Sequence, residues 1–197
     1  MIDPDKLTNY SRTEVQLQEL WLFSIAVAGK PAFRIARQVS LFIRALPGGP
    51  LFGDLLPFDR LKKILRAEGY DGLFAHVLDA RFGQHTRIAK AFAQSVDLDL
   101  RAATLDELMT VHGVGPKTAR MFLLHSRRNQ RLAVLDTHIL KFLKTKRIKV
   151  PKITPTGRKY LKLETKFLAL ADKAKVSPAK FDLDIWRGYA DRGALND

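Results

Sequence analysis

The 197-residue chain contains no cysteine. That absence excludes disulfides, thiolate zinc sites, cysteine-held iron–sulfur clusters and cysteine nucleophiles, and it suits a reducing cytoplasm. Long apolar runs are missing as well. The best, residues 20–28, falls well short of the roughly 18 residues that mark a bilayer span, so no membrane crossing is expected. The polar, acidic opening residues do not read as a signal peptide. Acidic side chains are scarce: 20 Asp and Glu face 34 Lys and Arg, a formal charge of +14. Such an excess points to a polyanionic partner, nucleic acid first and an anionic membrane surface second. Basic low-complexity tails of the ribosomal or chromatin type are absent, and so are alternating strand patterns and internal repeats.

What is present is helix after helix. Hydrophobic residues make up 46% of the chain, enough for a sizeable core in one domain or in two small lobes sharing a cleft. Leu17 to Val27 reads as a buried first helix, entered near Ser11 or Thr13 and ended by Gly29-Lys30-Pro31. A second helix, Pro31 to Leu46, turns Phe33, Ile35, Val39, Phe42 and Ile43 to one face, and Leu46 to Pro50 breaks it. Asp59 is expected to cap a short helix through Arg66, Phe74 to Leu78 reads as a further turn, and His85 to Ala93 as another helix. Thr104-Leu-Asp-Glu107 is a capping-box signature for a helix stopping at His112-Gly113. Further helices start at Pro116, at Asp136-Thr137, near Tyr160 and at Ser177-Pro178. The class is all-α.

Residues 108–122, LMTVHGVGPKTARMF, carry the central motif. Gly113 and Gly115 are read as a tight turn that must approach something closely. Pro116 tolerates the missing N–H of a first helical residue. The free N–H groups of that helix start can grip a phosphate oxygen, assisted by the helix dipole. Val111, Val114, Ala119 and Phe122 are expected to pin the flanking helices. The pattern resembles the helix-hairpin-helix motif, which holds DNA backbone without reading sequence. An ordinary αα-hairpin and a binding-only module remain open on this motif alone.

Lys117 is the second residue of the motif's second helix. A helix start disfavours an ammonium, which makes a neutral, nucleophilic amine accessible; a simple phosphate contact fits as well. Asp136 follows nineteen residues later, after one helix and a short return. A carboxylate there can stabilise positive charge developing on a deoxyribose or move protons for the lysine, and it can equally serve as a plain N-cap. Lys141, Lys144, Lys146, Arg147, Lys149 and Lys152 form a basic run suited to phosphates.

GVGPKTA followed by VLDTHIL resembles the signature of the helix-hairpin-helix DNA glycosylase superfamily, and the cysteine-free composition directs the resemblance to its cluster-free, archaeal-type 8-oxoguanine glycosylase/AP lyase branch. Val134 to Leu143, Tyr160 to Phe167, Phe181 to Trp186 and the opening Glu19-Leu-Trp-Leu-Phe23 are similar to that branch. The resemblance implies two helical lobes with the hairpin at the cleft between them: residues 31–130, including the hairpin at about 105–128, and a second lobe from 1–30 plus 131–197. It implies Lys117 as nucleophile and Asp136 as the essential carboxylate. Gly113, Val114, Gly115, Lys117, Thr118 and Lys30 become DNA-binding candidates, Lys30 at a gap-filling position where a plain exposed loop lysine fits as well. It implies Na+ or K+ on the carbonyls of Met109, Val111 and Val114, with no other cofactor. The implied partner is double-stranded DNA bearing a damaged base or abasic site, met by an intracellular, nucleoid-associated monomer.

A flipped base needs a pocket. Phe82 and Trp186 are stacking candidates and Asp184 a hydrogen-bond acceptor, although core and solvated-face roles suit them too. The chain departs from the branch at Thr137, where Arg or Lys is usual, and in ending Ala-Leu-Asn-Asp197 where a lysine is usual. Thr137-His138 matches the endonuclease III wording instead, which suits oxidised pyrimidines. A bifunctional glycosylase/lyase acting on an oxidised base, 8-oxoguanine favoured, is the expected function. The alternatives are an endonuclease III-like pyrimidine enzyme, a monofunctional mismatch or alkylation glycosylase, and a non-enzymatic DNA-binding module.

Overall fold

Thr13 opens the first helix with a reciprocal cap. Its backbone N–H donates to Gln16 Oε1 at 3.0 Å, and the Gln16 N–H donates back to Thr13 Oγ1 at 3.4 Å. In the computed structural model, which describes residues 1–47 and 56–193 and side chains through residue 189, that helix is α1, Glu14–Ala26. α2 (Ala32–Ala45), α3 (Pro57–Ala67), α4 (Gly69–Asp79), α5 (His85–Ser95), α6 (Leu105–Thr110), α7 (Pro116–Ser126), α8 (Thr137–Thr145), α9 (Gly157–Lys173) and α10 (Pro178–Gly193) follow, and no strand occurs among the described residues. Gly48 to Pro50 of the expected breaker, and Asp197, lie outside them. None of the described helices is long and apolar enough to cross a membrane.

The chain divides into two units, Met1–Lys6 with Ser11–Val114, and Leu7–Tyr10 with Gly115–Asp197. The division falls inside the expected hairpin. α1, assigned from the resemblance to the lobe of the termini, packs on α2, α3 and α5 of the first unit. Its apolar residues run round the whole helix, so Leu20, Trp21, Leu22 and Ile25 are all fully enclosed. Trp21 Nε1 donates to Ser95 Oγ at 2.7 Å, which satisfies its one polar group. Asp59 does not cap α3: Leu56 holds that position and Pro57 begins the helix, leaving Asp59 in the first turn beside the positive end of the dipole. α4 is a full helix of 11 residues rather than one turn, because Gly69 at φ +69° bends the chain directly from α3 into it.

In the second unit α10 packs on α7, α8 and α9. Its core gathers Leu135, Ile139, Leu143, Tyr160, Leu163 and Phe167, with Phe142 and Phe181 against them. Leu7–Tyr10 joins this unit from the far end of the chain. The Asn9 N–H donates to the His125 carbonyl at 3.0 Å, and the Arg128 guanidinium lies 5.4 Å over the Tyr10 ring.

Candidate active site

The expected capping box of α6 is formed, with the Thr104 N–H donating to Glu107 Oε2 at 2.7 Å and the Glu107 N–H to Thr104 Oγ1 at 3.2 Å. Val111 turns extended, and its carbonyl accepts the Val114 N–H at 3.0 Å. The following turn is fastened to α5. The His112 N–H donates to Gln94 Oε1 at 2.6 Å, and Arg87 reaches the carbonyls of Ile25 at 3.0 Å and Gly113 at 3.4 Å. Neither Arg87 nor Gln94 stands out in the sequence, because their targets are backbone atoms far along the chain.

The two glycines of the motif differ. Gly113 has φ +71°, and a Cβ on it would lie 2.6 Å from Arg87 Cγ. Gly115 has φ −103° and open space where a Cβ would go, so the fold requires glycine only at Gly113. The bareness of Gly115 keeps the start of α7 approachable. Gly115 caps α7 without a side-chain hydrogen bond, leaving the first-turn N–H groups uncovered by any cap. Gly113→Ala is expected to cost about 1–3 kcal/mol of stability, and Gly115→Ala to leave stability within about 0.5 kcal/mol while weakening DNA binding. Thermal melting and fluorescence anisotropy on a duplex check both; a Gly113→Ala protein melting like wild type contradicts the packing argument.

Lys117 is the second residue of α7 and half-buried. Among the described residues its amine forms no ion pair, and its one hydrogen-bond partner is the Met121 thioether at 3.6 Å, a weak acceptor. Asp136 caps α8: Oδ1 accepts the Ile139 N–H at 2.8 Å, and Oδ2 makes no bond to a described residue. Asp136 is also half-buried. Both lie in the second unit, and the charges of both act on the buried carboxyl of Asp182.

The segment leading into Asp136 is clamped by residues the sequence reading did not single out. Arg120, one turn after Lys117, forms a two-pronged ion pair with Glu164 at 2.8 and 3.1 Å. Glu164 Oε1 also accepts the Ala133 N–H at 2.8 Å. The Tyr160 hydroxyl donates to the Ala133 carbonyl at 2.6 Å and accepts the Leu135 N–H at 3.2 Å, while the Arg120 guanidinium lies 4.4 Å over its ring. Burial pushes the Tyr160 hydroxyl above its ordinary range, so it stays a neutral donor. Glu164 and Tyr160 together hold the backbone at Ala133 and Leu135, three residues and one residue before Asp136, which fixes where that carboxylate starts.

Other expected site residues fall elsewhere. Phe82 is 1% exposed and stacked among Phe42 and Phe92, with centroids at 5.4 and 6.1 Å, so it offers no face to a base. The Lys30 amine donates to the carbonyls of Ala26 at 2.9 Å and Gly83 at 3.4 Å. Burial, reinforced by Arg87 and Arg34, pulls that amine down to about 8, and its inward turn leaves no extended chain to fill a gap in DNA. Thr118 is buried, so only its backbone is offered to a ligand; Val114 is buried likewise. Asp184 is exposed and paired with Lys180 at 2.6 Å. Trp186 is half-buried on α10, one turn beyond Asp182. Lys141, Lys144, Lys146, Arg147, Lys149 and Lys152 are exposed. Met109 lies in the last turn of α6 and Val111 and Val114 follow beyond it, the Val111 carbonyl already accepting the Val114 N–H at 3.0 Å; backbone oxygens are the ligand type that suits a hard monovalent cation.

The chain is thus an all-helical protein with a helix-hairpin-helix motif, and the family description of that motif matches residues 98–125. A stretch of 88 residues is 38% identical to the 8-oxoguanine DNA glycosylase/AP lyase of Picrophilus torridus. It takes in 43% of this chain and 39% of that protein's length. The fold is that of the Methanocaldococcus jannaschii 8-oxoguanine glycosylase/lyase, solved in complex with 15mer DNA containing 8-oxoguanine: TM-score 0.63, 18% identity, 93% of this chain and 85% of that one. The resemblance drawn from the sequence is borne out in motif and in fold.

Proposed function

We propose that the protein is a base-excision DNA glycosylase with AP lyase activity, 8-oxoguanine being the favoured lesion. One observation carries the reading: Lys117 heads α7 with an amine held only by a thioether, in the same unit as Asp136, whose Oδ2 is unused. The uncovered N–H groups at the start of α7 hold a backbone phosphate, and the exposed basic run from Lys141 to Lys152 adds sequence-independent attraction. The neutral Lys117 amine attacks C1′ of the flipped nucleotide, and the C1′–N bond to the base breaks. Asp136 stabilises the positive charge that builds on the sugar. Ring opening gives an imine between Lys117 and C1′. Loss of a C2′ proton then expels the 3′ phosphate, which nicks the strand. Na+ or K+ on the carbonyls of Met109, Val111 and Val114 would steady the hairpin turn. The names of the two relatives support 8-oxoguanine; Thr137 and His138 keep an oxidised-pyrimidine substrate as the second reading.

A panel of duplexes carrying 8-oxoguanine, an oxidised pyrimidine, a mismatch or an abasic site separates these. Excision, nicking and borohydride trapping on the 8-oxoguanine duplex, and nicking and trapping on the abasic one, are expected. Binding to every duplex with no cut and no adduct would establish a non-enzymatic module instead.

A further inference from the structure

The positive charge of the chain is unevenly placed. Of the +14 excess, all but one charge belongs to the second unit. From Lys141 to Lys175 that unit has only two carboxylates, Glu164 and Asp172. Each is already taken by an arginine from outside the stretch, Arg120 and Arg131 respectively. The cations of the stretch therefore have no acid within it left to pair with. Those from Lys141 to Lys152 precede α9. Arg158, Lys162, Lys166 and Lys173 lie along α9, one or two turns apart, all exposed and in no ion pair with a described residue.

α9 has two faces. Tyr160 and Glu164 point inward, to the backbone of Ala133 and Leu135 and to Arg120 of α7. At about 100° per residue, Arg158, Lys162 and Lys166 stand roughly 160–240° round the helix from Tyr160, on the opposite side. This outer face works against the helix that carries it. Like charges one turn apart repel. Arg158 and Lys159 occupy the first turn, beside the positive end of the dipole, with no acidic residue there and no side-chain cap from Thr156. A row of phosphates reverses each of these costs. Thr165 and Ala169 fill the gaps in the row, and Leu161 is the one exposed large apolar side chain of α9, too little for the apolar face by which a basic helix enters a membrane surface.

We propose that the outer face of α9 holds the phosphate backbone of a second DNA segment while the start of α7 holds the first; this rests on the chain binding DNA, not on the chemistry of Lys117. α7 lies on the inner side of α9, where Arg120 meets Glu164, and the row of cations faces away from it. DNA is stiff on this scale, with a persistence length of about 150 base pairs, so a short straight duplex seated at α7 does not bend round to follow that row. The second contact is electrostatic and reads no sequence. With two segments held at once, the chain can pass from one to the other without first letting go.

The test counts short undamaged duplexes per chain by sedimentation velocity with duplex in excess, for the wild type and for a triple variant, Arg158→Gln with Lys162→Gln and Lys166→Gln. Glutamine keeps the helix propensity and removes the repulsion, so the variant folds, and thermal melting confirms it. The wild-type chain is expected to take two duplexes and the triple variant one. First-duplex affinity and borohydride trapping on an abasic duplex stay within about twofold of wild type, because the substituted sites are remote from α7. The second binding step of the wild type shows a slope of log affinity against log salt of about −3, one phosphate for each cation removed in the variant. A wild-type chain that saturates at one duplex overturns the proposal, as does a triple variant that still takes two. A triple variant whose first-duplex affinity falls about tenfold puts the row on the first duplex and overturns it too. A wild-type chain that binds no duplex sinks the DNA reading itself. One that traps on an abasic duplex yet takes only one duplex leaves that reading standing and removes this inference.

Discussion

Lys117→Gln abolishes the borohydride-trapped adduct on an abasic or 8-oxoguanine duplex, a loss of at least about a thousandfold for removal of a covalent nucleophile. The protein keeps its fold. The Lys117 amine has no ion partner among the described residues, and its contact with the Met121 thioether is weak, so melting shifts by no more than about 0.5 kcal/mol equivalent. Duplex affinity falls by the loss of one positive charge out of an excess of +14. Loss of the adduct with melting preserved is therefore the signature of a nucleophile. An adduct that persists in Lys117→Gln shows another amine to be the nucleophile, and base release that persists without an adduct shows water to be the attacking group.

Asp136→Asn loses excision by about a hundred- to ten-thousandfold, the range for removing a charge aimed at a transition state. It loses almost no stability, because asparagine caps a helix as well as aspartate does. Asp136→Ala loses both, adding about 1 kcal/mol for the missing acceptor to the Ile139 N–H. Excision by Asp136→Asn at the wild-type rate would remove the carboxylate from the chemistry and leave it as a cap alone. Duplex binding, measured alongside, should match wild type in Asp136→Asn.

The features legible in the sequence are those with a local cause. The capping box at Thr104, the left-handed turn at Gly113 and the helix start at Pro116 each depend on neighbours within a few residues, so their residue types announce them. Lys117 and Asp136 were legible because helix length fixes the spacing between two helix starts. Arg120, Glu164 and Tyr160 were not: the ion pair joins residues 44 apart, and nothing in the sequence near Arg120 names its partner. Helical phase separates the exposed Asp184 from the buried Asp182, which the sequence reading did not single out. Two residues along a helix turn through roughly 200°, so one carboxylate goes into the core as the other meets solvent. Lys30 misled for a related reason: a lysine in a glycine turn reads as exposed, but its stem is long enough to fold back onto the carbonyls of Ala26 and Gly83.

Thr8 and Asn9 meet His125 across a separation of 117 residues in the case of the Thr8–His125 pair. During synthesis these first residues are made long before the helix they join. They must wait, unpaired, while everything between emerges and folds. Contacts of such long range form late, because the loop they close is expensive in chain entropy. The Thr8–His125 pair is therefore expected to be among the last contacts made. A fragment beginning at Gly115 would carry both Lys117 and Asp136 yet leave Nδ1 of His125 without its hydroxyl partner.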